Sequence, residues 1–146
     1  MWFVYALMAA VIWGISYAAS GRVIERGVSP LVFFSLYAAM ASVLGFGALA
    51  LTGRLGSLSS EVKSLGVDWP WLLVAMVTSG VGALLIYMAI GEKNATLASL
   101  IEISYPLFVG FFAWLFFRET QFNLAAVLGG AMILTGIVVI YLGNRH

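Results

Sequence analysis

Apolar residues fall into five long runs, and polar or turn-forming residues collect between them. The runs cover residues 2–19, 31–51, 71–90, 97–117 and 124–142. Crossing about 30 Å of hydrocarbon takes about 20 mostly apolar residues at about 1.5 Å rise each, so each run is long enough for one helical span. The breaks are Gly21-Arg22 through Ser29-Pro30, Gly53-Arg54 through Asp68, Gly91-Glu92-Lys93-Asn94, and Arg118-Glu119-Thr120-Gln121. Each gathers charge or turn formers. Alternation at period two is absent, and without it helices are the structure that satisfies the backbone in lipid. The pattern predicts an all-α, polytopic membrane protein. Its five transmembrane helices form a compact bundle, and residues 1–146 are a single domain.

Composition narrows the classes further. The chain is 63% hydrophobic and 9% charged, against about 45–50% and about 25% in soluble domains. Seven Lys and Arg against six Asp and Glu leave a net charge of +1, which argues against a nucleic-acid partner. There is no cysteine, one histidine (His146) and one aspartate (Asp68). Those residues support neither a metal centre nor a nucleophile triad, so the expectation is a non-enzyme without cofactor or metal. Read as a signal peptide, residues 1–20 would end on Ala18-Ala19-Ser20, but they lack a basic start and carry Trp2, Trp13 and Tyr17.

With an odd number of spans the ends lie on opposite faces. The face of the N-terminus, face A, takes Arg54, Lys63 and Arg118; face B takes Arg22, Arg26, Lys93 and Arg145. Orientation follows the Lys/Arg excess on the cytoplasmic side, and three against four is a weak signal with face B inside. Trp2, Trp69, Trp71 and Trp114 fall near face A, as an interfacial aromatic belt would.

Glu102 is the clearest candidate for chemistry. It stands five or six residues inside the fourth run, about 8 Å deep. An ionised carboxylate in hydrocarbon costs about 2.5–3.5 kcal/mol by insertion scales, so such a residue faces a wet cavity or bundle interior and is a functional candidate. Pro106 cannot donate to the Glu102 carbonyl four residues back, which predicts a helix kink there. Ser99, Glu102 and Tyr105 follow at three-residue spacing and predict a polar stripe. The alternative for Glu102 is capping of a neighbouring group or snorkelling to face B.

Tyr17, Tyr37 and Tyr87 lie at similar depth to Glu102, roughly 3–9 Å from face B, and would with it form one layer. Rings and hydroxyls there suit an amphipathic or cationic ligand through cation–π contacts of about 0.5–2 kcal/mol each. An aromatic belt at face B explains the same tyrosines. Trp13 stands near mid-membrane, where a belt has no use for it, and pairs at four-residue spacing with Tyr17; it lines a pathway or packs in the core. Small residues recur at four-residue spacing: Ala10, Gly14 and Ala18; Ala41 and Gly45; Ala125 and Gly129. They predict close helix approach, with Gly129-Gly130 available to a partner chain.

Several places together resemble the EamA-like half of the drug/metabolite transporter superfamily. They are Trp13-Gly14 in the first span, Ser29-Pro30-Leu31 opening the second, and the block from Tyr87 through Ala95-Thr96-Leu97-Ala98-Ser99. Tyr105-Pro106-Leu107, Arg118-Glu119, Gly129-Gly130 and Gly136 complete the order. Where that family often has an arginine, seven residues after the Ser-Pro, this chain has Tyr37, and a role for that charge does not carry over. The resemblance implies a transporter, often built from two inverted five-helix halves, of which this chain holds one. The near-even charge suits insertion in both orientations, and pairing of inverted copies would supply the second half. The expectation is a homodimer, antiparallel, in the plasma (inner) membrane, exporting a small metabolite or amphipathic or cationic compound by proton exchange at Glu102. One half of a hetero-oligomer, a scaffold without transport, or part of a longer transporter are the alternatives.

Overall fold

The computed structural model describes residues 1–120 and 123–144; Gln121, Arg145 and His146, named above, lie outside the described residues. Among the described residues the regular structure is helical, without a strand. Seven α-helices are labelled here: α1 Trp2–Glu25, α2 Pro30–Leu51, α3 Leu58–Ser64, α4 Trp69–Glu92, α5 Ala95–Glu102, α6 Tyr105–Phe112 and α7 Leu124–Gly143. Among the described residues, five stretches are long and apolar enough to cross a membrane: Trp2–Glu25, Pro30–Leu51, Gly66–Glu92, Ala95–Phe117 and Leu124–Gly143. The protein is an all-α, multi-pass membrane protein.

Capping explains where several helices start. Ser29 precedes Pro30 and accepts from the Val32 N–H at 3.3 Å, Asn94 accepts from Leu97 at 2.8 Å, and Asn123 accepts from Ala126 at 2.8 Å. Such caps contribute about 1 kcal/mol each, and proline at the first helical turn has no N–H to leave unsatisfied. Two boundaries differ from the sequence expectation. Gly21-Arg22 does not end the first helix, which continues to Glu25 and turns only at Gly27, whose φ of 104° glycine alone adopts without strain. A single glycine inside a helix costs only about 1 kcal/mol, too little to end one, and Gly21 is buried within it. The polar connection between the second and third spans is also not plain loop, since it holds α3 between 3₁₀ turns at Leu55–Ser57 and Gly66–Asp68.

The fourth span is interrupted. Residues Ile103 and Ser104 form a turn between α5 and α6, and a π-helical turn, Ala113–Phe117, follows α6. Pro106 supplies no N–H to the Glu102 carbonyl, and the chain closes the gap with tighter bonds, Ser104 N–H to Ile101 O at 3.2 Å and Leu107 N–H to Ser104 O at 3.0 Å. The span ends on Arg118 in the left-handed conformation, φ 59°. There Arg118 N–H donates to Trp114 O at 3.0 Å and Glu119 N–H to Ala113 O at 3.3 Å. A left-handed residue closing a helix in this way is usually glycine; in arginine it costs about 1–2 kcal/mol.

The chain divides into two compact units. A terminal unit combines Met1–Ala18 with Lys93–His146, and a middle unit is Ala19–Glu92. In the middle unit α2 packs on α4, with Tyr87, Ile90 and Ser20 buried. In the terminal unit α5 packs on α7, and Ala98 and Ala113 are buried. Large apolar side chains such as Leu36, Val77 and Val139 are exposed, as helices facing lipid require.

Small residues serve packing at fewer places than their spacing predicts. Gly130 faces the Leu107 side chain so closely that a Cβ would collide with it. In the middle unit a Cβ on Gly91 would come within 3.0 Å of Pro30 Cγ. At Gly14, Gly45 and Gly129 a Cβ would meet no described atom within 4 Å. Four-residue spacing makes a close approach possible without selecting which helix arrives.

Candidate functional site

In the terminal unit, α1 and α5 bring two of the candidate residues together. The Tyr17 hydroxyl donates to Glu102 Oε2 at 2.6 Å, in a partly buried setting. Tyr17 in turn lies against Trp13, with ring centroids 5.4 Å apart and planes tilted by 42°. Residue spacing on α1 produces this contact, since positions four apart stack on one helix face. Trp13 is 43% exposed, Tyr17 and Glu102 only partly so. The arrangement is an acid at the end of α5, next to the break that Pro106 imposes, bonded to a phenol that a tryptophan backs. An acid so placed can give up its proton, exchange the phenol for another donor, or attract a cation.

The remaining members of the predicted stripe are used differently. Ser99 donates its hydroxyl to Thr96 O of its own helix at 3.0 Å, so the group serves the backbone. Tyr105 lies beyond the turn, at the start of α6, and is 60% exposed.

In the middle unit, Tyr87 of α4 is completely buried. Its ring meets Phe33 of α2 edge-on at 4.8 Å and Tyr37 at 5.7 Å. Such pairs are worth about 0.5–1.5 kcal/mol beyond the area they bury. Phe33 escaped notice in the sequence because a phenylalanine in an apolar run looks lipid-facing; its position four residues before Tyr37 was the available signal. The tyrosines proposed as one layer thus occur as Tyr17 with Glu102 in one unit and Tyr37 with Tyr87 in the other.

An ion pair lies outside the spans. Arg54 Nη2 lies 2.9 Å from Glu61 Oε1, and Ser57 Oγ donates to the same oxygen at 2.7 Å. Hydrogen bonds from Ser57 and Arg54, with the charge of Arg54, hold the Glu61 carboxyl below its ordinary value near 4.5. Among the described residues, no group of three or more His, Cys, Asp or Glu is placed to hold a metal.

Comparison with known proteins adds one match. The model of the EamA-like transporter family covers residues 1–142. Neither a curated protein nor a solved structure matches the chain.

Proposed function

Because the chain belongs to the EamA-like transporter family, we propose that it moves a small amphipathic or cationic compound across the plasma (inner) membrane in exchange for protons carried by Glu102. The hydrogen bond from Tyr17 to Glu102, 2.6 Å long and set within membrane spans, is the observation that carries this reading. Ionised, Glu102 accepts from Tyr17 and offers negative charge to a cationic cargo. Protonated, it carries no charge to attract the cargo, while its carbonyl oxygen can still accept from Tyr17. Protons and cargo then compete for one carboxyl, which is the condition for exchange. The interrupted fourth span puts backbone carbonyls beside that acid, as transporters do with broken helices.

The working form in this proposal is a dimer of inverted copies. Its supports are the nearly even Lys/Arg distribution between the faces and the open surfaces at Gly14, Gly45 and Gly129, where a second helix can approach closely. Labelling of Arg22→Cys and Arg118→Cys in intact cells should find each position accessible from outside in a share of the molecules. A single orientation for all copies contradicts the inverted dimer.

Transport is tested in proteoliposomes with a panel of amino acids, amines and organic cations. The wild type should accumulate a panel member when a proton gradient is applied, and Glu102→Gln should fall to the level of empty vesicles while remaining folded. Undiminished gradient-driven uptake by Glu102→Gln contradicts the role of the acid. A purified chain that transports nothing alone, yet gains activity with a second five-helix chain, favours a hetero-oligomer.

A further inference from the structure

The connection between α2 and α4, within the middle unit, has an apolar face although it belongs to no span. Leu55, Leu58, Val62 and Leu65 follow at spacings of three, four and three, the register of one helix face. They occupy the first 3₁₀ turn, α3 and the residue after it. Each is between 37% and 51% exposed. Ser60, Lys63 and Ser64 fall on the opposite side.

The polar groups of the connection bond among themselves. The Ser60 hydroxyl donates to Ser57 O at 2.8 Å and the Ser64 hydroxyl to Glu61 O at 2.7 Å. Arg54 and Glu61, which border the apolar face, pair with each other at 2.9 Å. Hydroxyls already bonded and charges already paired lose less when a less polar medium replaces water. Lys63 carries its ammonium on a stem long enough to stay in water while the backbone lies lower.

Chain connectivity keeps this face at the bilayer. Only Thr52, Gly53 and Arg54 separate Leu51, the end of one span, from Leu55, and Leu65 directly precedes the span Gly66–Glu92. Gly53 and Gly66 take left-handed conformations, φ 70° and 55°, so the helical path breaks on both sides of α3. Trp69 and Trp71, in the first turn of α4, are of the residue type that collects at headgroup level.

We propose that α3 lies in the plane of the membrane at face A, with Leu55, Leu58, Val62 and Leu65 turned into the lipid. An interfacial helix of this kind sinks its apolar face about 5–10 Å into the boundary between headgroups and acyl chains. Continuity selects the bilayer as occupant: spans adjoin the face at both ends, and Leu51 and Trp69, on either side, are exposed as lipid-facing residues are. Arg54 and Lys63 are balanced by Glu61 and Asp68, so apolar contact holds the helix and anionic headgroups are not required.

Spin labels on the full chain, reconstituted in phosphatidylcholine vesicles, test the proposal. The chain contains no cysteine, so each single substitution carries one label. Labels at Leu58→Cys and Val62→Cys should collide several-fold more often with oxygen, which concentrates in lipid, than with a water-soluble nickel chelate. Labels at Ser60→Cys and Ser64→Cys should show the reverse preference. Leu55→Cys and Leu65→Cys repeat the apolar-face reading where one of the first pair fails to fold. Nickel access at 58 and 62 equal to that at 60 and 64 would place α3 in water and overturn the proposal. Labels at 58 and 62 shielded from both reagents would assign the face to a second copy or another protein surface, and would also overturn it.

Discussion

Tyr17 in the terminal unit and Tyr87 in the middle unit are both set a few residues inside a span by count from face B, yet their surroundings differ in kind. Tyr17 is partly exposed and its hydroxyl is committed to a carboxylate, with a tryptophan on its flank. Tyr87 is wholly enclosed, its ring held between Phe33 and Tyr37. The same residue type thus serves a site that can change partners in one unit and a packed junction of two helices in the other. What separates them is the neighbour across the helix pair: an acid on α5 in one case, aromatic rings on α2 in the other.

The contrast is open to direct attack. Tyr87→Ala removes the largest enclosed side chain of the middle unit, and truncation of a buried aromatic costs about 3–5 kcal/mol. Reversible unfolding in mixed micelles should register that loss, and a cost below about 1 kcal/mol would remove the distinction between the two tyrosines. Tyr17→Phe keeps the ring against Trp13 and deletes the bond to Glu102. A hydrogen bond to a charged group contributes about 1.5–3 kcal/mol, so apparent affinity for a transported cation should change about tenfold or more, with any stability loss no larger than that range and below the loss in Tyr87→Ala. A variant with unchanged transport and a large stability loss would make Tyr17 a packing residue like Tyr87.

The smallest expected effect lies outside the spans. Glu61 has a folded-state value below its ordinary 4.5, so its pairing contributes fully above that pH and is lost as pH falls through the lowered value. Carboxyl titration by NMR should show this depression, and Ser57→Ala, which removes its largest cause, should relax it towards the ordinary value. An unshifted wild-type carboxyl would contradict the geometry around Arg54.

Much of the fold was legible in the chain because a bilayer demands long apolar runs, and such runs are hard to mistake. The interruption of the fourth span was legible for a chemical reason, the N–H that Pro106 lacks. The continuation of α1 through Gly21-Arg22 to Glu25 was not, because one glycine and one charge mark a break only if the backbone turns there, and it turns at Gly27. Nor was α3, a seven-residue helix whose polar sequence reads as connection. At the site, Glu102 stood out as a lone acid among apolar neighbours. Its bond to Tyr17 was visible only as a similarity of depth, since runs apolar all round conceal which faces meet. The left-handed arginine after the π-helical turn left no sequence signal, because arginine there opposes its own backbone preference.

The central claim is that Glu102 trades a proton for cargo, and proton release measures it most directly. Tetraphenylphosphonium, a lipophilic cation, is added to the detergent-purified protein in weak buffer, and released protons are counted with a pH indicator. Wild-type protein should release protons in a saturable manner and Glu102→Gln none. Equal release by the two would contradict the account.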